Sequence, residues 1–141
     1  MGDANTWAAW AAAAASLATL TVTTVVGGRR EQHRWAREAL TDAFVRFLEA
    51  SWEHSDVMRL ESAAVGDQHQ QAVALYREMR TQLTRLRLLA SANVLTAGED
   101  LLRRQRAVHE CVQGPERQAA LAEAAAGRRL VVEVAKKEMG L

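Results

Sequence analysis

The stretch from Trp7 to Val26 constrains the fold of this chain more than any other feature. Its twenty residues, WAAWAAAAASLATLTVTTVV, contain no charged residue, no proline and no glycine. At a rise of about 1.5 Å per residue, a helix of this length is about 30 Å long, which is the thickness of the hydrocarbon core of a bilayer. A single helix can cross that core because it satisfies its own backbone hydrogen bonds. We therefore predict a transmembrane helix over residues 7–26.

The hydrophobicity of this segment is modest, and two other interpretations compete with the membrane span. Each strong aliphatic contributes only about −0.3 to −0.6 kcal/mol to insertion, so one charge at about +3 kcal/mol would cancel several of them. A soluble alanine-rich helix would need a charged face, and a cleaved signal peptide would need a basic start, whereas residues 1–6 carry only Asp3. The span remains the preferred interpretation, with these anchoring residues: Trp7, Trp10, Leu17, Leu20, Val25 and Val26.

The basic residues orient the predicted span. All 18 lysines and arginines follow it, and four of them lie close to its end: Arg29, Arg30, Arg34 and Arg37. The positive-inside rule places that end in the cytoplasm, and each arginine near the surface gains about 1 kcal/mol from anionic lipids. We therefore expect a plasma-membrane protein with a short outer N-terminus (1–6), a transmembrane helix (7–26), a basic juxtamembrane segment (27–34) and a cytosolic α-helical domain (35–141).

The cytosolic part has apolar residues at spacings of three and four throughout and a single proline, Pro115, which is typical of helices. The predicted fold class is all-α, with one N-terminal transmembrane helix followed by a cytosolic helical hairpin or bundle of about four helices. Their expected ranges are 30–64, 68–95, 99–112 and 115–139. Gly27-Gly28 either forms a hinge or lies inside one continuous helix. Thr96 and Glu99 have the spacing of a capping box, which would begin the third helix.

Each predicted helix has one side suited to burial. On the first it consists of Leu40, Phe44, Phe47, Leu48, Ser51, Ser55 and Met58. On the second, a heptad seam of Tyr76, Met79, Leu83, Leu86, Ala90, Asn93 and Ala97 fits an intramolecular hairpin or an intermolecular coiled coil. The third presents Leu101, Gln105, Val108 and Val112. The last presents Leu121, Ala124, Ala125, Val131, Val132 and Ala135.

No catalytic, cofactor-binding or metal-binding pattern is recognisable. The four histidines have no metal-ligand spacing, and the adjacent His109, Glu110 and Cys111 point in different directions on a helix. The single cysteine excludes a disulfide framework and suits a partly buried packing role. Arginines near 103–106 alternate with acidic residues, which is typical of a solvated face. We therefore predict that the chain is not an enzyme, needs no cofactor, and binds neither nucleic acid nor a small-molecule substrate.

Three segments resemble a known group of proteins: EQHRWAREALTDAFVRFLEA at 31–50, LLASANVLTAGEDLLRRQRAV at 88–108 and VAKKEMGL at 134–141, all following the anchor. In layout the chain resembles uncharacterised small single-pass membrane proteins of actinobacteria that carry a helical cytosolic domain. The resemblance implies a membrane location and helix pairing. It implies no activity and no functional residue.

The expected function is that of a membrane-anchored helical interaction or scaffold protein, which contacts the lipid bilayer and docks a cytosolic protein or assembles with itself. Trp35 and Trp52 are the candidate interface residues because large aromatics are frequent in interfaces, although both would equally suit packing. The alternative is a small membrane signalling or sensor subunit that oligomerises through its transmembrane helix. Small residues spaced by four, such as Ala8, Ala12 and Ser16, would allow that association.

Overall fold

A computed structural model describes residues 3–60 and 65–141, with side chains described for 27–60 and 66–141. Within these ranges the chain is all-α, without strands, as predicted. Its helices are α1 (Asp3–Arg59), α2 (Val65–Leu89), α3 (Ala92–Glu110) and α4 (Pro115–Met139). The side chains of the predicted span at 7–26, including those of all six anchoring residues, lie outside the described side chains. In the part that is described, no helix combines the length and apolar character needed to cross a membrane.

Helix α1 contains Gly27 and Gly28 within its range, so the predicted first cytosolic helix does not begin anew at Arg30. It ends at Arg59, earlier than the predicted end at residue 64. The chain divides into two compact units, Met1–Glu38 and Ala39–Leu141. In the first unit, Nε of Arg34 lies 3.0 Å from a carboxylate oxygen of Glu38, one turn further along the helix. Such exposed pairs contribute only about 0.3–0.5 kcal/mol.

The hydrophobic core of the second unit is built from all four helices. Phe44 and Phe47 of α1 are buried in it, together with Met79 and Leu86 of α2. The remaining buried members are Leu40, Ala43, Ala50, Leu83, Val94, Ala97, Leu101, Val131 and Ala135. Most lie on the sides that the spacing of three and four predicts, because this spacing keeps apolar side chains on one face of a helix.

The boundary between α2 and α3 differs from the prediction. Helix α2 ends at Leu89 and α3 begins at Ala92, so the seam expected to continue through Asn93 is interrupted and Asn93 is exposed. The capping-box prediction was wrong: Thr96 lies within α3 and its hydroxyl donates to the carbonyl of Ala92 at 2.9 Å. The start of α3 is instead held by Glu138, whose carboxylate accepts hydrogen bonds from the amide and hydroxyl of Ser91.

The boundary between α3 and α4 is closer to the prediction. Helix α4 has the predicted bounds, with Pro115 in its first turn. Gly114 precedes it at a φ of 125°, a conformation that glycine adopts without strain. Helix α3 ends at Glu110, and Val112, which was expected on its buried side, is 78% exposed. The residue lies beyond the last turn of the helix, so helical periodicity no longer determines its direction.

Candidate functional site

Five polar residues, here called the polar cluster, are buried between three helices of the second unit. Ser51, His54 and Ser55 come from α1, Gln105 from α3 and Arg128 from α4. The spacings of three and four place the α1 residues on one side of that helix. Each of the five side chains is at most 2% exposed. Buried polar groups need hydrogen-bond partners, so their pairing determines what the cluster can do.

Gln105 is the centre of the cluster. Its Oε1 accepts from the hydroxyl of Ser51 at 3.0 Å. Its Nε2 donates to Oγ of Ser55 at 3.0 Å and lies 2.7 Å from Nδ1 of His54. An amide nitrogen can only donate, so Nδ1 of His54 accepts and the proton of the neutral ring is on Nε2. This tautomer is assigned from the hydrogen-bond network.

Arg128 is the one cation of the cluster. Its Nη1 donates to Oγ of Ser55 at 2.8 Å and to Oγ of Ser51 at 3.1 Å. Its Nε and Nη2 are buried and have no acceptor among the described residues. None of the ion pairs within the described part of the chain includes Arg128. Burial lowers the pKa of this guanidinium, since it disfavours the charged form.

Trp52 covers the guanidinium from the solvent side. The central carbon of the Arg128 guanidinium lies 4.3 Å from the centroid of the Trp52 ring, which is a cation–π contact. The Trp52 residue remains 52% exposed. A half-exposed ring thus lies against the buried charge of Arg128.

A row of imidazoles leads from the cluster to the end of the bundle. The ring of His54 lies 5.9 Å from that of His109, which lies 5.1 Å from that of His69, measured between centroids. His69 and His109 face a cleft of about 340 Å³, whose other lining residues are Val57, Met58, Leu60, Gln68, Val112, Gln113 and Arg117. No group of three ligating side chains in the described ranges could hold a metal ion.

Burial makes the imidazoles of His54 and His109 weaker bases. The pKa of His54 is lowered from 6.5 to about 4, first by burial and then by the charges of His109 and Arg128. The pKa of His109 is also lowered, mainly by burial and by His69, although Glu110 acts in the opposite direction. Both rings are therefore neutral at physiological pH. A neutral ring avoids adding a second buried charge beside Arg128.

The residues predicted as functional from sequence lie at different places in the molecule. Trp35 is 68% exposed in the first unit, and Trp52 belongs to the second. The juxtamembrane arginines are all exposed: Arg29, Arg30, Arg34 and Arg37. Arg128 and His54 were missed. Their spacing could have identified them. Arg128 follows Ala124 by four residues and His54 follows Ser51 by three, so both lie on sides of helices that were predicted to be buried.

Comparison with known protein families, with curated proteins and with solved structures gives no match to this chain.

Proposed function

We propose that the chain is a membrane-anchored helical interaction protein, whose cytosolic bundle docks a partner protein on the surface around Trp52. The proposal of docking rests on one observation: a half-exposed tryptophan lies against a buried arginine whose Nε and Nη2 donors have no acceptor among the described residues. Tryptophan and arginine are the residue types most enriched among those that dominate binding energy at interfaces.

The surface has an apolar continuation along α1. Val45 precedes Trp52 by two helical turns, so both lie on the same side of the helix, and both are about half exposed. Here we call these two residues the docking face. Exposed apolar side chains on one stripe of a helix suit a partner helix or strand laid along it.

The membrane half of the proposal is supported by the sequence. Residues 7–26 carry no charge, and all 18 basic residues follow them. This arrangement favours a cytoplasmic bundle at the plasma membrane. The substitution Ala13→Arg tests it, because one charge at about +3 kcal/mol would cancel the marginal insertion energy. We expect the variant to appear in the soluble fraction. If it still sediments with membranes after a carbonate wash, the single-span proposal fails.

Docking is tested by affinity capture from detergent-solubilised native membranes. Trp52→Ala should lose the partner, whereas Leu88→Ala should retain it, because Leu88 is equally an exposed apolar residue but lies on α2. Trp52→Phe keeps a ring over Arg128 and should retain most of the binding. Equal capture by all three variants would contradict the docking face. The same experiment without residues 1–28 shows whether the partner also requires the anchor.

A second candidate, a membrane sensor subunit, is favoured by the cleft beside His69 and His109. Clefts of about 300 Å³ or more with a few convergent polar groups are typical of small-ligand sites. In this proposal the anchor would oligomerise through its small residues. Cysteines introduced singly from Ala8 to Ala18 should then give dimer crosslinks with helical periodicity. If no position gives a dimer crosslink, the proposal of a sensor subunit fails.

A further inference from the structure

We propose that the Nε–Nη2 edge of Arg128 is a carboxylate-binding site covered by Trp52, and that its occupant is an acidic side chain of the docked partner. The inference rests on the proposed docking function and names the chemistry of the contact.

The two unpartnered nitrogens are adjacent on one edge of the guanidinium. Nε–H and one N–H of Nη2 point in the same direction, which is the fork that donates to both oxygens of a carboxylate. Nη1, on the other side, is occupied by Ser51 and Ser55. The serines therefore hold the group in place while they leave its bidentate edge free.

A buried guanidinium with a free edge is costly. An unpaired buried ion costs several kcal/mol, and the neutral hydroxyls that contact Nη1 compensate only part of that cost. A carboxylate at the free edge would supply both the missing charge and the missing acceptors. The cation–π contact with Trp52 compensates only about 2 kcal/mol and supplies no hydrogen-bond acceptor in the plane of the guanidinium.

The nearby acidic residue is already engaged. Asp56 lies close enough to favour the charged form of Arg128, but its carboxylate accepts from Nη1 of Arg59 at 2.7 Å. Arg104, another arginine of the bundle, shows the ordinary arrangement: it pairs with Asp100 at 2.7 Å and with Glu123 at 2.6 Å. The contrast between Arg104 and Arg128 points to an acceptor supplied from outside the chain.

Access to the edge depends on Trp52. Its ring is half exposed, so it can rotate toward solvent without disturbing the core. The apparent affinity of a carboxylate is then reduced by the fraction of time that the ring covers the site. A partner with an apolar segment beside its acidic residue would pack against both the displaced Trp52 ring and Val45.

The test uses the full chain in detergent micelles and two matched probes, N-acetylglutamate amide and N-acetylglutamine amide. NMR follows the Nε–H resonance of Arg128 and the indole N–H resonance of Trp52. We expect both resonances to move with the glutamate probe and to remain unchanged with the glutamine probe. Equal responses to the two probes, or no response to either, would overturn the carboxylate site.

Three variants test which residues determine the binding of the glutamate probe. Trp52→Ala should bind the glutamate probe about tenfold more tightly because the cover is removed. Arg128→Lys, followed through the indole resonance, should bind it about tenfold more weakly because a lysine has no fork. Asp56→Asn should leave the Arg128 resonance of the free protein unchanged. If Asp56→Asn moves the Arg128 Nε–H resonance of the free protein in the direction opposite to the probe, Asp56 is the occupant and the proposal is overturned.

The identity of the occupant is tested separately by the capture experiment. Added glutamate probe should release the captured partner, while the glutamine probe should not. Arg128→Lys should capture less partner than Arg104→Lys, a control on α3. If the glutamate probe does not release the partner, and Arg128→Lys captures as much of it as Arg104→Lys, the occupant is not a carboxylate of the partner. Docking itself would then still stand. Capture of no partner by the wild type would contradict the proposed function, while the NMR titration still decides the carboxylate site.

Discussion

Nε2 of Gln105 lies 2.7 Å from Nδ1 of His54, and this contact joins α3 to α1 at the centre of the polar cluster. Because the same amide also contacts Ser51 and Ser55, it satisfies three buried groups of α1. The cluster therefore couples the packing of these helices to the protonation state of one histidine. This coupling has measurable consequences.

Replacing Gln105 by methionine should destabilise the fold. The substitution keeps the length of the side chain but removes the hydrogen bonds of Gln105 with His54, Ser51 and Ser55, and only the two serines keep contacts with Arg128. Each unsatisfied buried group costs about 1–3 kcal/mol, so we expect a loss of about 2–4 kcal/mol after relaxation. Urea unfolding of the purified chain measures it as a lower midpoint. The exposed Gln118→Met on α4 is the control, and an equal effect from both variants would contradict the role of Gln105.

Stability should fall with acid because His54 remains neutral in the fold. Its pKa is about 4 when folded and 6.5 ordinarily, so between these values the unfolded chain binds the additional proton. The free energy of unfolding is therefore highest above pH 6.5 and declines as the pH falls toward 4, by up to about 3 kcal/mol. The groups that face the ring are Tyr76 from α2, His109 from α3 and Arg128 from α4.

The pH dependence is measured by urea unfolding at a series of pH values. His54→Gln should flatten much of the slope between pH 6.5 and 4, because it removes the group whose pKa changes most. A remaining slope of the same sign is expected from His109, whose pKa burial also lowers. His33→Gln, at an exposed position of α1, should retain the slope of the wild type. An unchanged slope in His54→Gln would show that the ring is not buried in the neutral form.

Arg128→Met should leave stability unchanged or raise it. An apolar side chain of similar length avoids the cost of a buried, unpaired charge, and such replacements are often neutral or stabilising. Arg104→Met should instead lower stability by about 1 kcal/mol, since it removes the ion pair with Asp100 within α3 and the one with Glu123 of α4. Thermal unfolding of both variants makes the comparison. A large loss with Arg128→Met would mean that the arginine serves the fold and would weaken the functional argument.

Gly98→Ala should destabilise the contact between α2 and α3. A Cβ atom at this position would lie 2.8 Å from Cδ1 of Leu83, which is buried and has little space to move. Overpacking costs about 1–3 kcal/mol, which exceeds the gain of about 1 kcal/mol from helix propensity. A Cβ atom at Gly66 meets no atom of the described residues within 4 Å, so Gly66→Ala should be neutral or stabilising. In a double-mutant cycle, Leu83→Val should reduce the cost of Gly98→Ala, and additive effects would contradict the steric explanation.

Particular residues show how far the sequence alone predicts this structure. Phe44, Phe47, Leu101 and Val131 were placed correctly in the core, because periodicity identifies the buried side of a helix regardless of its neighbours. The start of α4 at Pro115 was also predicted, since proline and the preceding glycine act locally. The capping box at Thr96 failed because Glu138, distant in sequence, caps the segment instead.

The candidate site was predictable only in part. Ser51, Ser55 and Gln105 appeared as polar residues within sides that the sequence predicts to be buried, which is a signal of a buried network. The burial of Arg128 could not be predicted from the sequence, since a charged residue is ordinarily expected at the solvent-exposed surface. Trp52 was identified as a candidate interface residue, but its contact with Arg128 requires the packing of α4 against α1.

By itself the sequence determined the helical class and the faces of the helices, and it predicts the membrane segment that supports the proposed location. These properties depend on residues a few positions apart along one chain segment. The tertiary structure decided which polar groups meet, which histidine becomes neutral and which arginine keeps a free edge. The reason is physical: hydrogen bonding and desolvation depend on atoms that come into contact only when helices distant in sequence pack together.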